Sequence, residues 1–226
     1  MIEIKGWKKS EIIFLSSVIL FIITHALLRG DSPIAVMSAI CGITYTFIAG
    51  KGNPVCYLFG VSGSGFYSYL AFQNMLWGNL VLYLCYYIPM QIWGFFQWNK
   101  NLKIGQKEIV KRYLPKKELY ILIAVTVFAV VLTAFILNYM KDTHPILDSI
   151  TTIGSIGGMY LTVRRAIEQW IFWMVVNFLS LIMWIYVALS GARVYSTVIM
   201  WAVYLFLAFY FYFSWRKEIS LSKNNI

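Results

Sequence analysis

The chain has 226 residues, of which 60% are hydrophobic, 18% aromatic and 12% charged, and its formal net charge is +10. A soluble domain of this length has no interior large enough to hide so much apolar surface, so this composition, with a mean hydropathy of +0.70, excludes a water-soluble fold and implies an integral membrane protein. The basic residues stand in short runs between apolar segments, which is the arrangement of a topology signal and not of a nucleic-acid surface.

In chain order, apolar runs long enough to span a bilayer occupy about 11–28, 34–49, 54–72, 76–97, 119–139, 147–163, 167–189 and 194–215, although 34–49 and 147–163 are short. The expectation is an all-α membrane protein of about eight transmembrane helices. Lys5 to Lys9 followed by 11–28 imitates a signal peptide, but no small-residue cleavage site precedes Arg29, and the run is read as a membrane helix. With both termini in the cytoplasm, the inner side receives Lys5, Lys8, Lys9, Lys51, Lys100, Lys103, Lys107, Lys111, Arg112, Lys116, Lys117, Arg164, Arg165, Arg216, Lys217 and Lys223. Only Arg29, Lys141 and Arg193 remain outside, and the opposite orientation inverts that balance. The linker from Asn99 to Lys117, with Gly105 and Pro115, reads as a basic cytoplasmic surface loop, and the tail after Lys217 as polar and frayed. Cys41, Cys56 and Cys85 lie scattered in apolar segments with neither disulfide nor zinc spacing.

An internal repeat emerges at a single gap-free offset of 117, aligning 31–100 with 148–217. It matches Asp31/Asp148, Ser32/Ser149, Ser38/Ser155, Ala49/Ala166, Tyr69/Tyr186, Ala71/Ala188, Val81/Val198, Tyr87/Tyr204, Phe96/Phe213, Trp98/Trp215 and Lys100/Lys217. Each unit holds three helices, starts outside and ends inside. The odd helix 119–139 between them makes the units parallel, as an axis along the membrane normal requires. The plan is an N-terminal helix in 1–30, unit one in 31–100, a basic loop and linker helix in 101–147, unit two in 148–217 and a tail in 218–226: a 3+1+3 core plus one helix.

Two polar and aromatic stripes run through otherwise apolar helices. At 100° per residue Gln169, Trp170, Trp173, Asn177, Ser180 and Trp184 share one face. Unpaired amides and indoles are costly in hydrocarbon, so this face should turn inward toward other helices or a polar cavity. In the fourth run Asn79, Tyr83, Tyr86, Met90, Trp93 and Gln97 form a second stripe, with Pro89 placed to bend the helix. Gly60, Ser64 and Ser68, and Gly154 with Gly158, supply small-residue faces for close helix packing or room for a ligand.

No Asp, Glu, Lys or Arg falls near the middle of any segment. Glu168, Arg164 and Arg165 lie by the inner edge and Asp31 and Asp148 by the outer, which disfavours strong ion coupling. His25 and His144 are solitary, so no metal site is expected, and no cofactor motif is found. There is no GxxxxGK[ST] phosphate loop and no nucleophile–base pair, so ATP hydrolysis and enzymatic catalysis are not expected. A membrane enzyme acting on lipid phosphates and a purely structural subunit remain as competing readings.

The runs Gly52-Asn53-Pro54 through Gly60, Leu76-Trp77-Gly78-Asn79, Tyr86-Tyr87-Ile88-Pro89-Met90-Gln91-Ile92-Trp93-Gly94-Phe95-Phe96-Gln97-Trp98 and Glu168-Gln169-Trp170-x-x-Trp173-x-x-x-Asn177 resemble the PnuC family of bacterial vitamin transporters. The resemblance covers about 31–217. It implies a carrier for nicotinamide riboside in the bacterial inner membrane, working by facilitated diffusion, with uptake made productive by cytoplasmic phosphorylation. Thiamine and riboflavin stay open as substrates, and so does a homo-oligomer. The substrate-binding residues expected are Tyr86, Trp93, Gln97, Gln169, Trp170, Trp173 and Asn177. In this arrangement Trp173 stacks on a flat cationic ring and Asn177, one turn away, bonds a carboxamide or a ribose hydroxyl.

Overall fold

A helix in hydrocarbon can leave no main-chain N–H or C=O unpaired, and the chain is accordingly helical almost throughout in a computed structural model describing residues 9–30, 32–73, 80–105, 108–141, 145–189 and 195–224. Lys5, Lys8, Asp31, the Leu76-Trp77-Gly78-Asn79 motif, Lys107, His144 and Arg193 lie outside these residues, as do the side chains of Arg29, Ala71, Trp184, Ala188 and Lys223. Eight α-helices occur among the described residues: α1 (Lys9–Arg29), α2 (Pro33–Gly50), α3 (Cys56–Gln73), α4 (Ile88–Asn99), α5 (Lys116–Tyr139), α6 (Pro145–Val163), α7 (Gln169–Leu189) and α8 (Tyr195–Asn224). Lys9–Leu28, Pro33–Gly50, Lys116–Tyr139, Pro145–Val163 and Val198–Leu221 are long and apolar enough to cross a membrane.

α2 and α6 each start on a proline, whose missing N–H costs nothing in a first turn. A π-helical turn, Leu82–Tyr87, leads into α4, and the Ile88 N–H reaches back to the Tyr83 carbonyl. Pro89 follows at once. It cannot donate to the preceding turn, and widening that turn is one way a helix accommodates the loss.

The two helical hairpins turn their corners alike. After α2 the Gly52 N–H bonds the Ala49 carbonyl and the Asn53 N–H that of Ile48, with Gly52 at φ +75°. After α6 the Arg165 N–H bonds the Thr162 carbonyl and the Ala166 N–H that of Leu161, with Arg165 at φ +59°. These matches run at an offset of 113, whereas Trp98 and Trp215 correspond at 117. The single gap-free offset expected from the sequence is therefore corrected at the corners: unit two carries extra residues between its corner and its last tryptophan, so no gapless alignment registers both.

Trp98 and Trp215 are 0% exposed and bridge the halves reciprocally. The Trp98 indole N–H donates to the Thr162 carbonyl in the last turn of α6 (2.9 Å), and that of Trp215 to the Gly50 carbonyl at the end of α2 (2.6 Å). Each indole also stands edge-on to an aromatic ring at the start of its own unit's middle helix. Tyr57 meets Trp98 at 5.1 Å between centroids, and Trp170 meets Trp215 at 5.6 Å. α4 thus packs on α6, and α8 on α2.

The linker lies largely exposed at the surface, and it is tied down. Its backbone is stitched to both corners: the Ile109 N–H donates to the Gly52 carbonyl, the Arg112 N–H to that of Arg165 and the Ile167 N–H to that of Arg112. Ile109 and Leu114 are buried beneath it. The tail is corrected too, because α8 continues to Asn224. Glu218 holds Lys103 (2.6 Å) and Lys111 (2.5 Å), and Ile219 packs in the core, so the tail is anchored at these two residues. Both α2 and α6 end at this segment and so run in the same direction.

α1 is clamped to the core by Glu11, which accepts from Lys51 (2.9 and 3.1 Å) and from the Tyr210 hydroxyl (3.0 Å). α5 packs on α6 and buries none of its own residues, as suits a helix facing lipid. Cys41 and Cys56 are buried and Cys85 exposed, all three as free thiols.

Removing the Trp215 indole donor strands the buried Gly50 carbonyl, at a cost of about 1–3 kcal/mol, whereas the Thr162 carbonyl loses the Trp98 bond and keeps the Arg165 N–H. Trp98→Phe and Trp215→Phe should each lower the melting temperature of the purified protein, while Trp93→Phe, at a position 43% exposed, should leave it nearly unchanged. Thermal unfolding in detergent measures all three.

Candidate functional site

Between the two units lies a cavity of about 740 Å³. α7 supplies one wall. Gln169, Trp170, Trp173, Asn177 and Ser180 all line it, so five members of the stripe read from the sequence share one cavity. Trp173 is fixed by its indole N–H donating to the Thr162 hydroxyl (3.2 Å), which in turn donates to the Gly158 carbonyl (2.8 Å). Its ring lies on Gly158, where an added Cβ would come within 3.0 Å of it. Gln169 donates its amide to the Ala166 carbonyl (3.0 Å). Asn177 is 5% exposed and has no hydrogen-bond partner among the described residues. Its carboxamide is thus buried in the protein yet presented to the cavity.

The facing wall differs from the expected one. Tyr83, Tyr87 and Gln91 line the cavity from the π-turn and α4, whereas Tyr86, Trp93 and Gln97 do not. The Tyr86 hydroxyl donates to the Ile156 carbonyl (2.7 Å) and stitches α4 to α6. Trp93 and Gln97 line a separate recess of about 240 Å³ at the basic end with Asn101, Arg112, Val163, Arg164 and Arg165. The π-turn is the physical reason: it takes more than four residues per turn, so Tyr87 and not Tyr86 comes beneath Tyr83, and Gln91 follows one α-turn later. Pro89 was the available signal. Gln91 is buried and accepts from the Ser64 hydroxyl (3.2 Å), which gives the Gly60, Ser64, Ser68 face a second use besides close packing.

Sequence reasoning also left out Tyr45, Tyr67, Trp201 and Tyr204. Tyr87 and Tyr204 were already paired by the repeat, and both line the cavity from opposite units. Tyr45 and Trp173 form another relation. At the offset of 113, Tyr45 corresponds to Gly158 and Gly60 to Trp173. The Tyr45 ring lies on Gly60, 2.9 Å from an added Cβ, as Trp173 lies on Gly158. Each hairpin thus packs one ring on one glycine, with the two residues exchanged between its helices.

Asp148 is the one formally charged residue among the described lining, and it stands in the first turn of α6, away from the basic end. At that end Glu168 is buried and both of its carboxylate oxygens accept from the Leu114 N–H (3.2 and 3.1 Å). Burial raises the Glu168 pKa above the ordinary carboxylate value, opposed by backbone N–H groups and the nearby Arg112 charge. Burial likewise lowers that of Lys111, against the attraction of Glu218. Among the described residues no cluster of metal-ligating side chains occurs. The site offers aromatic faces, carboxamides and hydroxyls around a space suited to one flat polar molecule.

Comparison with known proteins gives this architecture its relatives. The chain is 29% identical to the nicotinamide riboside transporter PnuC of Haemophilus influenzae, over 96% of this chain and 93% of that one. It is 28% identical to the protein of the same name from Neisseria mucosa, over 95% of this chain and 83% of that one. The crystal structure of a vitamin B3 transporter PnuC superposes with a TM-score of 0.82 at 28% identity, covering 94% of this chain and 92% of that one. A family profile described as nicotinamide mononucleotide transporter matches residues 32–217, both three-helix units and α5 included, and by that match this multi-pass membrane protein belongs to the nicotinamide mononucleotide transporter family.

Proposed function

We propose that the chain carries nicotinamide riboside inward by facilitated diffusion, with the ligand held in the central cavity against Trp173 and Asn177. The observation that carries this reading is Asn177: a carboxamide 5% exposed, without a protein partner among the described residues, aimed into a cavity one turn from a fixed indole. An amide that bonds no protein group and opens onto the cavity is available to a ligand, and one that pairs with it there gains a bond shielded from bulk water. Nicotinamide riboside has a flat cationic ring, a carboxamide and a ribose. Trp173 and Tyr87 offer ring faces, Asn177 and Gln91 offer amides, and Ser64 and Ser180 offer hydroxyls. Cation–π attraction contributes roughly 0.5–2 kcal/mol according to desolvation. The relatives, named as nicotinamide riboside transporters, support the same ligand.

Facilitated diffusion is supported by the absence from the sequence of ionisable residues at mid-depth and of a phosphate loop. In this reading the basic end faces the cytoplasm, both termini lie there in the bacterial inner membrane, and phosphorylation of the delivered nucleoside keeps net flow inward. The matched corners and exchanged tryptophans support a domain plan of two parallel units, 31–100 and 148–217, about an axis along the membrane normal.

Losing a buried hydrogen-bond partner costs on the order of 1–3 kcal/mol, about 5- to 150-fold in affinity. Trp173→Ala, Asn177→Ala and Gln91→Ala should each weaken nicotinamide riboside binding by that order in calorimetry, whereas Trp93→Ala and Gln97→Ala should not. A vitamin panel including thiamine and riboflavin tests the choice of ligand, and equal affinity of all five variants for every vitamin would remove the site assignment. In proteoliposomes without ATP, substrate should equilibrate to the external level and no further. Accumulation above it that depends on an imposed proton or sodium gradient would contradict facilitated diffusion.

A further inference from the structure

The second corner departs from the first at one residue. Both corners need a left-handed backbone conformation; the first uses Gly52 (φ +75°) and the second Arg165 (φ +59°). A residue with a Cβ is disfavoured there, and an outlier of this kind points to a use for its side chain. Arg165 lines the recess of about 240 Å³ at the basic end together with Trp93, Gln97, Asn101, Arg112 and Arg164. Three guanidiniums therefore share one small concavity.

The carboxylates nearest to them are already engaged. Glu118 pairs with Arg164, and both Glu168 oxygens accept from the Leu114 N–H. Arg112 donates Nε to the Arg164 carbonyl (3.1 Å), and Arg165 donates one terminal nitrogen to the Val110 carbonyl (3.2 Å). The Arg164 Nε is buried without a hydrogen-bond partner among the described residues. A guanidinium carries five N–H donors, so each arginine keeps donors beyond these bonds. Burial, then the charges of Arg112 and Arg164, lower the proton affinity of Arg165, which reflects the crowding of like charge.

An anion among these groups would relieve that crowding and take up the spare forked donors, and tetrahedral phosphate matches the fork geometry. We infer that this recess, distinct from the central cavity, binds a phosphate group, with Arg112, Arg164 and Arg165 on the oxygens and the half-exposed Trp93 ring beside whatever bears it. The phosphate comes from a phospholipid headgroup at the membrane surface or from a free phosphate or its ester in solution.

Two variants test it in the full chain. Arg165→Gly installs the residue type of the matching corner, removing the guanidinium together with the strain, so the protein should melt no lower than the parent in chloride. Arg112→Gln removes a second guanidinium and keeps a side-chain amide. The detergent-solubilised protein is titrated with potassium phosphate against potassium chloride at matched ionic strength, and nanodiscs with and without phosphatidylglycerol are melted in parallel. Hydrogen bonds to a charged group lost on substitution correspond to about a 10- to 100-fold weaker affinity. Phosphate should raise the melting temperature of the parent, and both variants should lose that response. A response confined to phosphatidylglycerol, and lost in both variants, assigns the phosphate to the lipid. Absence of any response in the parent, or a parental response in either variant, overturns the site. Vitamin binding in the central cavity is unchanged in both variants, so failure here is distinguishable from failure of the transport reading.

Discussion

The cavity depends on two indoles that cross from one half of the molecule to the other. Trp98 and Trp215 each donate to a carbonyl where α6 and α2 end, the place where a helix has C=O groups that its own turns cannot satisfy. Both carbonyls are buried, that of Gly50 with the indole as its partner and that of Thr162 shared with the Arg165 N–H, so the exchange ties the end of each of these helices to the other half. The edge-on rings of Tyr57 and Trp170, and the backbone of the linker laid across both corners, build on that fixed geometry. The basic end is consequently the rigid end, tied by main-chain bonds and by Glu218 to both lysines.

Much of this was legible in the sequence because membranes impose simple rules. Segment lengths, charge asymmetry and the inward polar stripe of α7 are direct consequences of hydrocarbon as a solvent, and Gln169, Trp170, Trp173 and Asn177 do line one cavity. The stripe on the fourth segment went astray for an equally physical reason. A constant 100° per residue fails across a π-turn, and past Leu82–Tyr87 the inward face passes to Tyr87 and Gln91. Pro89 announced a perturbation, but periodicity alone cannot say on which side of a proline the extra residue is absorbed.

The anchoring of the linker and of the tail went unseen because composition reports solvation and not partnership. Lysines between two helices look like a loop facing water, and nothing local reveals that Ile109 plugs a corner or that Glu218 gathers Lys103 and Lys111. In the sequence the repeat rested on identities such as Tyr87/Tyr204 and Trp98/Trp215. The hairpin corners sit at another offset and their likeness is written in hydrogen bonds and backbone angles, so identities could not register it.

The exchange of ring and glycine between Tyr45 with Gly60 and Gly158 with Trp173 has a stereochemical consequence. A cavity between two faithful copies of one unit would present an unsymmetrical guest with two equivalent poses, each the half-turn image of the other. Here one copy covers its glycine with a phenol from its first helix and the other with an indole from its second, so a half-turn does not return the same wall. The two headings of an unsymmetrical guest would then meet different rings and would no longer be equivalent in energy.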